Sequence, residues 1–230
     1  MLLAWIMVQI FKKQERITLK SLALTQIREA IQCGKLKPGD RIVETRLAKE
    51  MGISKFPIRE AIRYLEREGL VVTFPFRGTY VSNFDERDIE ELYTLRSALE
   101  ELAIRILMSK LDEEKIGQLD SILAEMQKAA NEEKVDKVIS EDMRFHRTIC
   151  ELSGHRKLLE MWMTLENQIK SFIAREEYFY GQANQLVETH YPVLEAIKSG
   201  DSQLVEKCIR DHLKNAVGVV KNVPAKTPAP

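Results

Sequence analysis

The sequence predicts a mainly α protein: an N-terminal winged helix-turn-helix followed by an all-α six-helix antiparallel bundle. Three observations carry this. The run Gly52-Ile53-Ser54-Lys55-Phe56-Pro57-Ile58-Arg59-Glu60-Ala61 is punctuated like a turn entering a helix. Glu68-Gly69-Leu70 and Phe76-Arg77-Gly78-Thr79 then mark a helix end and a tight hairpin. Beyond residue 84, apolar residues recur at helical spacing and no strand signal appears.

Residues 15–83 form the first unit. Leu22, Ile27, Ala30 and Ile31 make the apolar side of a helix ending near Gly34, and Leu36-Lys37-Pro38-Gly39-Asp40 is a turn. Glu44 to Met51 is a short second helix with Leu47 and Ala48 inward. Gly52 ends it, where a positive φ has no steric cost. Ser54 suits the N-cap of a third helix. Pro57 falls in that helix's first turn, where its missing N–H does no harm. Ile58, Ala61, Ile62 and Leu65 form the buried stripe, and Gly69 stops the helix. Leu70 to Thr73 and Thr79 to Val81 read as strands around the wing tip.

Residues 84–222 form the second unit. Six helical stretches span about 86–109, 112–132, 134–152, 155–179, 182–199 and 201–221, separated by polar breaks such as Gly154, Gly181 and Gly200. The first carries Ile89, Leu92, Leu95, Leu99, Leu102 and Ile106 on one face, and the second Ile116, Leu119, Leu123 and Met126. The third runs Val135, Val138, Asp142, Phe145/His146, Ile149. The fifth runs Leu186, His190, Val193/Leu194, Ile197, and the sixth Leu204, Cys208, His212. Pro192 should kink the fifth helix beside His190.

The ends differ from both units. Residues 1–14 are an extension whose first eleven are almost wholly apolar. That is too short to span a bilayer, and it lacks the basic start and small-residue cleavage site of a signal peptide. It is either a leader ahead of a start at Met7 or a helix packed on a partner. Residues 223–230, rich in Pro and Ala, have the composition of a disordered tail.

Charge divides along the same line. The 230 residues are neutral overall, but residues 15–83 carry a surplus of five positive charges and residues 84–230 a surplus of seven negative ones. A basic front end suits a polyanion; an acidic back end avoids one. Cys33, Cys150 and Cys208 are an odd number without C-x-x-C spacing, which argues against a disulfide scaffold and fits a reducing cytoplasm.

The third helix leaves Lys55, Arg59 and Arg63 on its open side, with Lys55 and Arg59 near its N-terminus. Arg59 can fork onto guanine, and Lys55 and Ser54 can reach a base or a phosphate. Arg77 beside Gly78 suits a minor-groove or backbone contact. These features point to double-stranded DNA, read by a homodimer on a palindrome because one winged domain spans only a few base pairs. In the bundle, three of the four histidines and one Asp fall on inward stripes. A single inward His is normally a hydrogen-bonded core residue. Three with Asp142 are better explained by a shared divalent metal at Asp142, His146, His190 and His212. Arg96 is also inward, and either forks an effector carboxylate or pairs with Glu100 or another bundle carboxylate. His155 reads as a surface or capping residue.

Residues 20–83 resemble the GntR family of bacterial transcription regulators. The matching pieces are Leu36-x-Pro38-Gly39, Leu47-Ala48, Gly52-Ile53-Ser54, Pro57-Ile58-Arg59-Glu60-Ala61, Leu65-Glu66, Glu68-Gly69-Leu70 and Arg77-Gly78. The resemblance implies DNA contacts at Ser54, Lys55, Arg59, Arg77 and Gly78, and adds Thr45. Lys55, Phe56 and Thr45 depart from the family's usual Arg, Thr and charged residue, which implies a different operator. Residues 86–221 are similar to the FCD ligand-binding domain of the FadR subfamily. The similarity rests on Asp88-Ile89-x-x-Leu92-Tyr93-x-Leu95-Arg96-x-x-Leu99-Glu100, Asp142-x-x-Phe145-His146, Glu188-x-His190 and Arg210-x-His212-Leu213. It implies that the Asp and three His bind a metal, zinc first with nickel or manganese as alternatives, whose open positions face a small effector. The expected protein is a cytoplasmic repressor responding to metal and a carboxylate metabolite, without membrane contact. A metal-dependent helical enzyme fused to a DNA-binding domain, or a purely structural metal, are the other readings.

Overall fold

The computed structural model describes residues 18–173 and 183–221. The expected apolar extension, the proline-rich tail, the Gly181 break and the end of the fourth bundle helix lie outside the described residues.

The chain opens with α1 (Leu19–Gln32), β1 (Arg41–Ile42), α2 (Glu44–Glu50) and α3 (Lys55–Arg67). The hairpin β2 (Val71–Phe74) and β3 (Gly78–Val81) follows. β3 lies between β1 and β2, antiparallel to both, with Arg41 opposite Tyr80 and Val72 opposite Tyr80 from the other side. Ala23, Ile27 and Ile31 of α1 meet Ile58, Ala61 and Leu65 of α3 in one core. Leu22 does not join it. One position away from Ala23, it is rotated outward and 39% exposed.

The second unit holds α4 (Glu86–Met108), α5 (Glu113–Asn131), α6 (Val135–Leu152) and α7 (Arg156–Ile173). It continues with α8 (Ala183–Glu188), α9 (Tyr191–Ser199) and α10 (Ser202–Lys221). Six helices were expected where seven are described. The fifth is broken at Thr189-His190, with His190 as the N-cap of α9 and proline in its first turn. Pro192 has no N–H for the helix, so its effect is a break rather than a kink. The core centres on Trp162, Phe145, Leu119, Leu123 and Met126.

Two expected stripes are rotated. Leu95 and Leu102 of α4 are 54% and 38% exposed, while Arg96 and Glu100 take the buried face. On α10, Leu204 is exposed and Val205, Ile209 and Leu213 are buried. In both helices the faces of the neighbouring helices, not the Leu count, choose the side that is buried.

α7 also touches the first unit. Gln168 Nε2 donates to the carbonyl of Glu68, the α3 C-cap, at 2.8 Å. Gln32 Nε2 donates to Asn167 Oδ1 at 3.2 Å. Gly69 (φ +72) permits this approach, because a Cβ there would stand 2.4 Å from Gln168 Nε2.

Candidate functional site

The first candidate surface is the open side of α3 and the wing. Ser54 is the N-cap of α3, but its hydroxyl makes no capping bond, which leaves it available to a partner. Thr45, Ser54, Lys55, Arg59 and Arg77 are all exposed, and Gly78 is half-buried. Arg59 is not unpartnered: its guanidinium forks onto Glu44 of α2 at 3.1 and 2.8 Å. That hydrogen bond and the Glu44 charge raise the Arg59 pKa. Glu44 thus ties α2 to α3 and fixes where the arginine starts. Sequence reading missed it because the two residues belong to different helices.

The second lies inside the bundle. α6 supplies Asp142 and His146, one turn apart; the α8–α9 break supplies His190; α10 supplies His212. All four are buried. His146 Nε2 stands 3.1 Å from His212 Nε2 and 3.3 Å from His190 Nε2. Asp142 Oδ1 is 3.0 Å from His190 Nε2 and 3.9 Å from His146 Nε2. The four predicted residues therefore meet at one point.

The outer nitrogens explain the orientation. Glu100 of α4 places Oε2 at 2.6 Å from His146 Nδ1, and its Oε1 accepts from Arg96 Nε at 2.7 Å and Trp162 Nε1 at 2.9 Å. Burial would raise the Glu100 carboxyl, but His146 and Arg96 outweigh it and hold it well below the usual carboxylate range. An ionised carboxylate only accepts, so His146 carries its proton on Nδ1 and turns a lone pair inward. His190 Nδ1 faces the Leu186 carbonyl at 2.8 Å, which forces the same tautomer.

This arrangement fits a cation. The Nε2 atoms of His146 and His190 and the Asp142 carboxylate face one another at 3.0–3.9 Å. A proton on His190 would satisfy one contact, whereas a divalent ion satisfies all the donors. Nitrogen ligands about 2.1 Å from one ion stand about 3.0–3.4 Å apart, which brackets the observed 3.1 and 3.3 Å. Burial, then the neighbouring His190 and His146, push His212 well below its ordinary pKa, and burial lowers His146 as well. Neutral imidazole is the ligating form. Burial would raise Asp142, but His190 and His146 hold it low, in the ionised ligating form.

Arg96 resolves its two sequence readings partly in favour of Glu100, its partner through Nε. Burial opposes its charge, but Glu100, Tyr93 and Asp142 outweigh it and raise its pKa. Among the described residues its Nη2 is buried with no hydrogen-bond partner, and so is His212 Nδ1. His155 accepts from the Leu158 N–H at 3.2 Å and caps α7. No helix among the described residues is long and apolar enough to cross a membrane.

Two family models match the chain. The model of the bacterial regulatory proteins of the gntR family matches residues 19–81, and the FCD domain model matches residues 91–215. The transcriptional regulator YdhC of Bacillus subtilis is 30% identical over 200 residues, covering 86% of this chain and 89% of its own length. The gluconate operon transcriptional repressor of Bacillus licheniformis is 27% identical over 203 residues, covering 86% and 83%. Among solved structures, McbR/YncC of E. coli superposes with a TM-score of 0.77 at 21% identity, over 90% of this chain and 98% of that one. A GntR regulator from Rhodococcus sp. RHA1 reaches 0.77 at 19% identity, over 88% and 98%. With a helix-turn-helix and wing carrying exposed Arg59 and Arg77, and a helical domain gathering three histidines, the chain belongs to the GntR family, in the branch with an FCD domain, and is a DNA-binding transcription regulator.

Proposed function

We propose that this regulator is a cytoplasmic homodimeric repressor whose bundle binds one divalent metal per chain through Asp142, His146, His190 and His212. The observation that carries the metal is the convergence of three Nε2 atoms whose outer nitrogens are already committed in His146 and His190. Zinc suits the donor set best, with nickel or manganese as alternatives. A bound metal would supply positive charge and open positions for an anionic ligand. The Nη2 of Arg96, buried and unpartnered, supports a small carboxylate as that ligand. Effector binding would then shift the winged domains between arrangements that do and do not fit a palindromic operator. Ser54, Lys55, Arg59, Arg77, Gly78 and Thr45 would make the DNA contacts. The gluconate-operon relative supports repression rather than activation.

Metal analysis of the purified chain tests this directly. Wild type should carry or take up one equivalent of zinc, nickel or manganese, and its melting temperature should fall on chelation, because a ligand of the folded state adds stability. His190→Ala or His212→Ala should abolish stoichiometric binding and the chelator effect together. No uptake of any of the three metals, with identical melting in chelator, would reduce the four residues to a polar core cluster.

A further inference from the structure

Phe76 stands at the wing tip between Pro75 and Arg77, and its side chain is fully exposed, at 108% of the reference value. The Arg77 N–H donates to the Phe74 carbonyl at 3.0 Å, so Pro75 and Phe76 are the two central residues of a turn. Phe76 has φ +62. Proline first and a left-handed residue second is the type II pattern, whose second position normally takes glycine. A side chain there is strained, and an aromatic ring in open water gains nothing from packing. Glycine at this position would remove both costs, so nothing within the described chain accounts for the phenylalanine. An exposed, strained residue of this kind is a sign of binding.

The surroundings indicate what is bound. Arg77 is exposed beside the ring. Arg41 lies along the hairpin, because a Cβ on Gly78 (φ +109) would stand only 3.1 Å from its Nε. Behind the tip, Tyr80 Oη donates to the Arg77 carbonyl at 3.0 Å, and Phe74 packs edge-on against Tyr80 with centroids 6.0 Å apart. The tip is thus an exposed apolar ring on a braced hairpin that also carries Arg77 and has Arg41 alongside Gly78.

We propose that Phe76 is an apolar wedge for the minor groove of DNA, entering it beside Arg77 when the wing docks. Proteins that read this groove combine basic side chains with an apolar one that partly unstacks a base step and bends the duplex. The wedge rests on the DNA-binding function of the family and adds a contact that α3, in the major groove, cannot make. It also selects sequence: flexible pyrimidine–purine steps should be favoured under the wing, because they unstack most easily.

The test uses the full chain and a duplex that the wild-type protein selects from random sequence. Phe76→Gly and Phe76→Asn both suit a left-handed turn and both lack the ring. Each should raise the melting temperature of the free protein yet weaken duplex affinity roughly tenfold, the scale of one aromatic–base contact. The loss should persist at high salt, because no charge is removed, whereas Arg77→Ala should flatten the salt dependence. Bending measured by circular-permutation mobility should diminish in both variants. Full affinity in both, or a loss that disappears at high salt, overturns the wedge. Arg59→Ala separates the two levels: weakened binding there with none in the Phe76 variants removes the wedge alone, and unchanged binding in all of them removes the reading surface as well.

Discussion

Glu100 holds Arg96, His146 and Trp162 with one carboxylate, entirely inside the bundle. A buried ion pair of this kind is weak evidence for stability, since desolvation offsets most of the attraction. Its clear consequence is orientation: it fixes the His146 tautomer. His146 and His212 are both shifted below the ordinary histidine pKa by burial first, and the unfolded chain protonates them near pH 6.5. Below that pH the unfolded state binds more protons than the folded one, so stability falls as pH falls. Asp142 and Glu100, held low in the folded state, add a further loss at more acidic pH. In chelator, denaturation midpoints should therefore drop steadily from pH 7.5 to 5.5, and His212→Gln should flatten the slope. A midpoint that stays level or rises over this range would contradict the neutral burial of these rings.

At the scale of elements, Glu44 and Arg59 join α2 to α3 across the proposed DNA-reading surface. The pair is exposed, so its worth to folding is small and screened by salt. Under the proposed function, it would hold Arg59 in place until DNA competes for it. Arg59→Ala should weaken operator binding by on the order of ten- to a hundredfold, the value of a bidentate base contact, with circular dichroism unchanged. Glu44→Ala should leave the fold intact and alter operator affinity far less. Equal affinity of wild type and Arg59→Ala in a mobility-shift titration would remove Arg59 from the base-reading set. α8 and α9 form the other informative pair. Their break turns His190 toward α6 while its Nδ1 stays on the Leu186 carbonyl, an orientation that an unbroken helix could not combine with Pro192.

For the whole molecule, the contact of Gln168 with the Glu68 carbonyl places the α3 C-terminus against α7. The same α7 carries Trp162, which binds Glu100 beside the histidine cluster. Among the described residues, Leu95 and Leu102 on α4 are exposed, and an exposed apolar strip of this kind suits a second copy. The proposed homodimer should accordingly sediment as two chains at micromolar concentration and bind one palindrome. Leu95→Glu with Leu102→Glu should yield a folded monomer with much weaker operator binding. A wild-type monomer with one-to-one DNA stoichiometry would exclude this assembly.

Most of the fold was legible in the sequence because its signals are local. Gly52, Ser54 and Pro57 set the turn and the start of α3, and Ile58, Ala61, Ile62 and Leu65 recur at the helical period. The metal candidates were legible for a related reason: Asp142 and His146 share a stripe one turn apart, and polar residues on an apolar stripe stand out. What lay outside the sequence's reach depends on neighbours. The exposure of Leu95 and Leu102 and the burial of Arg96 and Glu100 follow from where α6, α7 and α10 pack on α4. The partnerships of Glu100 with His146, 46 positions away, and of Glu44 with Arg59 exist only once separate helices are brought together. Periodicity determined which residues could face inward; the packing of the bundle decided which of them meet, because a helix stripe specifies a direction and only its neighbours specify what lies there.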